Sequence, residues 1–136
     1  MILVLDASVA LAWGFPDEVT PYSQSVLVMA NEGGATVSAV WPLEIANALV
    51  LGERRQRLQP SETAEFIELL ESLPIRVEVG NLSHVLGPVR ALAQEHGLSA
   101  YDASYLDLAL ELGLPLATLD RDLREAAMRV GVPLVQ

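Results

Sequence analysis

Four carboxylates stand where a strand gives way to a helix or where a helix begins: Asp6 in LDASVALAW, Glu44 in WPLEIANAL, Asp102 in LSAYDASYLDLA and Asp120 in LATLDRDL. Each has an ordinary explanation. Asp6 and Asp120 suit helix N-caps, Asp102 lies three residues after Ser99 as in a capping box, and a first-turn Glu44 is favoured by the helix dipole. Their places on the helices argue for more. At about 100° per residue, Ser104, Asp107 and Glu111 share a polar stripe that reads as ordinary surface. Asp102 falls opposite, among Tyr105, Leu106 and Ala109. Glu44 and Asn47 are the only polar side chains from Leu43 to Leu51 and lie on one side of their helix. A carboxylate among apolar neighbours is costly unless a polar group or a cation meets it.

If the four converge, adjacent carboxylates ~5 Å apart repel by roughly 3 kcal/mol per pair at an effective dielectric near 20. Several such pairs would consume much of a domain stability of about 5–15 kcal/mol. Hard divalent cations relieve that repulsion, and an all-oxygen donor set selects Mg²⁺ or Mn²⁺. The chemistry such a cluster suits is metal-assisted phosphoryl transfer, in which the cation acidifies water and offsets charge on the phosphate.

The elements that must position these acids are legible as an alternation. Short apolar runs at 2–5, 36–40, 75–79, 115–118 and 132–135 read as strands covered on both faces. Helical patterns fill 20–31, 42–57, 61–72, 82–96, 100–112 and 121–130, with a short one near 8–13. Thr20-Pro21 fits an N-cap followed by a first-turn proline, and Gly97, Gly113 and Gly131 stand where helices close. Parallel neighbours need crossovers, so the expected fold is α/β: a three-layer α/β/α sandwich around a parallel sheet of four or five strands. Residues 1–136 then form one domain, with no repeat or linker. In such sheets ligand sites form outside the carboxyl ends of the strands, which is where the acids fall.

Composition narrows the chemistry further. The chain has no cysteine, and all eight of its cationic residues are arginine. That excludes a thiol nucleophile, a cysteine zinc site, a P-loop lysine and a Schiff-base lysine. With 51 % hydrophobic residues, no membrane-length apolar run and no leader-like start, the expectation is a soluble cytoplasmic protein without membrane attachment. The net charge of -10 opposes general electrostatic binding of nucleic acid. Arg54, Arg55 and Arg57 form the one basic cluster, while Arg121 and Arg124, beside Asp120, are the first choice for phosphate contacts. Trp13 and Trp41 read as packing anchors, and His84 and His96 as surface or helix-terminal residues without metal-ligand spacing.

The four acidic segments, in this order and spanning nearly the whole chain, resemble a PIN domain, specifically the VapC-like toxins of toxin–antitoxin pairs. The resemblance implies a Mg²⁺- or Mn²⁺-dependent ribonuclease whose acidic ligands are Asp6, Glu44, Asp102 and Asp120, with Asp122 a further, more weakly placed carboxylate. It implies that Ser8 and Thr118 support the site through their hydroxyls and that Asn47 orients Glu44. Asp6 is expected to cap its helix as well as to hold a metal, and Asp107 to remain on the surface. The implied partners are an RNA substrate, a small VapB-like antitoxin whose basic or apolar tail crosses the acidic groove, and a second copy in a homodimer. Two other readings keep the fold: a PIN nuclease of RNA processing without an antitoxin, and a non-catalytic PIN-like binding module. A haloacid-dehalogenase-like phosphotransferase would need an aspartate where Ser8 stands, and it and a receiver domain both need a lysine that is missing.

Overall fold

The computed structural model describes residues 1–136. Four parallel strands, β1 (Leu3–Leu5), β2 (Ala35–Ser38), β3 (Ile75–Glu78) and β4 (Leu116–Ala117), form one sheet in the order β3-β2-β1-β4. All three residues of β1 are buried, and alternate strand residues point to opposite faces, so both faces of the sheet are covered. On the helical side, α1 (Ala7–Gly14) packs against α2 (Pro21–Gly33), α3 (Trp41–Arg54) and α4 (Pro60–Ser72). A second group is built on α7 (Ala100–Leu112), which contacts β1, β2, α6 (Arg90–His96) and α8 (Arg121–Val130). The main apolar core joins the β1 residues to Val37, Trp41, Tyr105, Leu106 and Leu123. The expected sandwich with a parallel sheet is therefore observed, with four strands.

The departures have local causes. The run at 132–135 contributes only a bridge, Leu116 to Leu134, held by Leu116 N–H to the Pro133 carbonyl and Val135 N–H to the Leu116 carbonyl. Pro133 has no N–H to extend the ladder. The expected single helix over 82–96 is interrupted. It begins as α5 (Leu82–His84), passes through a π-helical turn at Val85–Val89 and resumes as α6. Pro88 lies inside that turn; its ring and missing N–H are incompatible with α-helical bonding to residue 84, and the wider turn accommodates it.

Helix ends follow their capping residues. Thr20 and Ser23 cap each other reciprocally at the start of α2, Ser99 accepts from Asp102 N–H at the start of α7, and Gly97, Gly113 and Gly131 close α6, α7 and α8 in the left-handed conformation. These boundaries set the carboxyl ends of β1, β2 and β4 beside the amino ends of α1, α3, α7 and α8. No helix is long and apolar enough to cross a membrane.

Candidate active site

Asp6 follows β1 at the N-cap position of α1, 4 % exposed, yet its side chain makes no capping hydrogen bond. That corrects the expectation of a dual role. One oxygen, Oδ2, instead accepts from Ser8 Oγ at 2.8 Å and from Thr118 Oγ1 at 2.6 Å. Each hydroxyl is itself anchored, Ser8 by Leu119 N–H at 3.0 Å and Thr118 by Asp120 N–H at 3.0 Å. The ends of β1 and β4 are thus tied through one carboxylate oxygen, and Oδ1 is left without a side-chain partner.

The same division recurs at the other acids. Glu44, in the first turn of α3, accepts at Oε1 from the Tyr105 hydroxyl at 2.6 Å. Asp120 does cap α8, accepting Leu123 N–H at Oδ2 at 2.8 Å. Asp102, in the first turn of α7, is half-buried, with Ser99 its nearest polar side chain. In three of the four carboxylates, then, one oxygen is fixed by the fold and the other is free of side-chain partners.

Their charges meet. Burial, together with the charges of Asp6 and Asp120, pushes the Asp102 carboxyl up to about 6 from an ordinary 3.8, against a lowering contribution from Ser99, and Asp122 adds a smaller push. Burial raises Asp6, partly countered by the Thr118 and Ser8 hydroxyls. Glu44 is raised by burial, countered by Tyr105, and raised again by Asp6 and Asp102. The structure therefore gathers Asp6, Glu44, Asp102 and Asp120 at one end of the sheet, with exposed Asp122 at the rim. An all-oxygen donor set in which Asp6, Glu44 and Asp102 resist ionisation is what a hard divalent cation compensates.

Other expected site residues are placed differently. Asn47 is exposed and makes no hydrogen bond to Glu44, so it does not orient it; Tyr105 holds that position. Tyr105 is fully buried, and the sequence signal for it was only that a buried phenol needs a partner. Arg124 Nη1 donates to the Thr118 carbonyl at 3.0 Å, beside the site's floor. Arg121 is solvent-exposed and paired with Glu125. In the basic cluster, Arg57 is engaged by Asp17 and Glu18 and lies over the Phe15 ring. Trp13 and Trp41 do pack: Trp41 is buried, and Trp13 Nε1 donates to the Ser23 carbonyl.

His84 does end a helix, as expected, but neither it nor Asp107 stands free on the surface. His84 Nε2 lies 2.8 Å from Asp107 Oδ2 and 3.3 Å from Glu111 Oε1, because the π turn lays the end of α5 against α7. Asp107 is only 16 % exposed. Its hydrogen bond, with the charges of both acids, raises the imidazole pKa above the ordinary value.

Comparison with known proteins agrees with this arrangement. A family model described as PIN domain matches residues 3–128. Ribonuclease VapC3 of Pyrobaculum aerophilum is 35 % identical over 125 residues, covering 92 % of this chain and 94 % of that protein. Among solved structures, PAE2754 from Pyrobaculum aerophilum superposes with a TM-score of 0.69 at 26 % identity, over 93 % of this chain and 86 % of that one. FitAcB from Neisseria gonorrhoeae shares the fold, with a TM-score of 0.64 at 20 % identity over 99 % and 97 % of the two chains. With its acids converging at the carboxyl end of a β3-β2-β1-β4 sheet and the family match running almost end to end, the chain belongs to the PIN-domain family, in its VapC-like branch.

Proposed function

We propose that this protein is a divalent-metal-dependent endoribonuclease of the VapC type. The observation that carries the reading is the convergence of Asp6, Glu44, Asp102 and Asp120, three of them with one oxygen fixed and the other available. These four hold the cation, Mg²⁺ or Mn²⁺, with Asp122 as an outer carboxylate. A cation bound there supplies acidified water and offsets phosphate charge. Ser8 and Thr118 keep Asp6 in one orientation, and Tyr105 does the same for Glu44, the kind of support ligating carboxylates require. The reaction is hydrolysis: the water oxygen bonds to phosphorus and the bond to the 3′ oxygen breaks, leaving a 5′-phosphate and a 3′-hydroxyl. Arg124, fixed beside the site, is placed to meet substrate phosphate, with the exposed Arg121 as a second contact.

The resemblance to Ribonuclease VapC3 supports the RNA substrate, and the VapC type supports a small VapB-like antitoxin as partner. The reading includes a single domain, a homodimer and a cytoplasmic location. The deciding experiment is cleavage of a defined RNA panel with Mn²⁺, with Mg²⁺ and with chelator, comparing wild type with Asp6→Asn. Cleavage that needs metal and is lost in the variant is the expected result; cleavage unaffected by either change refutes the proposal.

A further inference from the structure

The acids use one side of α7. Its other side, along the stripe Tyr101, Ser104, Asp107 and Glu111, borders a cavity of about 320 Å³ at the carboxyl ends of β2 and β3. This is the end of the sheet at which the acids stand, since all four strands are parallel. Neighbouring strands lie about 5 Å apart, so the cavity is a step or two along the sheet edge from Asp6. Two contacts make α7 the shared wall: Ser104 Oγ donates to Ser38 Oγ at 2.9 Å on the cavity side, and the adjacent Tyr105 donates to Glu44 on the acid side. Tyr101 and Asp102 are likewise consecutive, one facing each way.

The cavity has an apolar interior and an acceptor-rich rim. Val79, Val85 and Val89 supply the apolar walls, and the Tyr101 ring stands 63 % exposed at the edge. Asp107 and Glu111 each give one oxygen to His84, leaving Asp107 Oδ1 and Glu111 Oε2 without a protein hydrogen bond. Glu78 adds a further carboxylate to the rim. Mostly apolar pockets with a few convergent polar groups are the usual form of small-ligand sites. Here the occupant must have flat apolar faces and a donor edge, which describes a nucleobase better than a flexible cationic side chain. Among the four RNA bases, guanine alone presents two adjacent donors, N1–H and the N2 amine, on its Watson–Crick edge. Adenine and cytosine put an acceptor beside their amine, and uracil flanks its one donor with two carbonyls. Unstacked bases of single-stranded RNA are commonly held in this way, by an aromatic ring and edge hydrogen bonds.

We propose that this cavity is the subsite for a guanine base of the RNA, next to the phosphate at the acids, with Tyr101 as its stacking platform and the free oxygens of Asp107 and Glu111 reading N1–H and the N2 amine. The proposal rests on the ribonuclease reading for its substrate. His84, whenever it is protonated, offsets part of the rim's charge. His84, Asp107 and Glu111 are also close enough to share a cation, their ligand atoms lying within 4.8 Å of one another, and a metal such as Zn²⁺ is the competing occupant.

The test uses the whole chain in chelator, titrated by NMR with GMP, with IMP (which lacks the N2 amine) and with UMP. GMP should bind about tenfold more tightly than IMP or UMP, the worth of one hydrogen bond to a charged acceptor. Tyr101→Ala and Glu111→Gln, both at exposed positions, should each weaken GMP about tenfold without changing thermal stability. Asp6→Asn should leave GMP binding intact. A randomised RNA pool cleaved with Mn²⁺ should show guanine enriched beside the cut in wild type and lose that enrichment in Glu111→Gln. Absence of a GMP preference, or a preference that survives both cavity variants, overturns the proposal. So does Zn²⁺ binding that depends on His84 and excludes GMP. Wild type that binds GMP in this pattern but cleaves no RNA refutes the ribonuclease reading and leaves the guanine site standing.

Discussion

Replacing Asp102 with asparagine keeps the side chain's size and removes one negative charge from the acidic cluster. Burial and the neighbouring acids push this carboxyl up to about 6, against 3.8 for an ordinary aspartate. At about 1.4 kcal/mol per pH unit, that gap corresponds to ~3 kcal/mol held against the ionised native state. Asp102 is only half-buried, so solvent screening reduces the figure to about 1–2 kcal/mol. The sign follows from linkage. The native carboxyl binds its proton more tightly than the unfolded chain does, so native stability falls as pH rises from 3.8 to about 6 and stays lowered above that. In chelator at pH 7.5, Asp102→Asn should therefore melt higher than wild type, by about 4–8 °C at ~4 °C per kcal/mol for a domain of this size. The difference should shrink at pH 5 and vanish near pH 4.

Metal should invert the order. A cation at a hundred times its dissociation constant stabilises by about 2.7 kcal/mol, and wild type retains the full donor set. Differential scanning calorimetry of both proteins, in EDTA and in excess Mn²⁺, reads the four melting temperatures directly. A variant that melts below wild type in EDTA at pH 7.5 would show that Asp102 serves the fold rather than a ligand. Equal Mn²⁺ shifts in the two proteins would show that no cation sits at this carboxylate.

Tyr105→Phe removes the 2.6 Å hydrogen bond to Glu44 and should weaken Mn²⁺ binding by calorimetric titration about 10- to 100-fold, with secondary structure intact by circular dichroism. Thr118→Val leaves the buried Asp6 oxygen with one donor fewer and Asp120 N–H without its acceptor; urea denaturation should show a loss of about 1–3 kcal/mol. Gly14→Ala drives a methyl to 2.6 Å from the Phe66 ring where α1 meets α4, so chemical denaturation should show about 1–3 kcal/mol lost to overpacking. His84, raised in pKa chiefly by Asp107, contributes its tie to α7 when protonated and loses it as pH rises through the raised value. Hydrogen exchange of residues 82–89 should accordingly quicken on the alkaline side, and His84→Gln should abolish that pH dependence.

How much of this was legible depended on the range of each interaction. The strand–helix alternation, the ends of α7 and α8 and the glycine stops came from local pattern and survived into the structure almost to the residue. The acids were legible because polarity stood where the helical period demanded an apolar residue, as at Asp102. The π turn was announced by Gly87-Pro88, yet periodicity alone reads through a proline as if the helix continued. Contacts across the fold left no such trace. His84 and Asp107 are 23 residues apart, and nothing local to either says that one will hold the other. Tyr105 was placed correctly on the apolar face, but its ring hid the feature that matters, a hydroxyl aimed at Glu44.

The chain's negative charge then becomes coherent with an anionic substrate. Asp6 occupies the N-cap position of α1 without forming a side-chain cap hydrogen bond. Two hydroxyls instead hold one of its oxygens so that the other stays available. Asp102 and Glu44 are kept in surroundings that resist their ionisation. A protein optimised only for folding would replace these groups, since apolar residues of similar size often do better in such positions. The strain is relieved by positive charge, and the two sources of it near this site are a bound cation and Arg124. Under the ribonuclease proposal, attraction for RNA phosphate is concentrated at the end of the sheet that carries the acids, within a chain of net charge -10. Such a distribution favours discrimination over general affinity, as expected of an enzyme that selects its cleavage site.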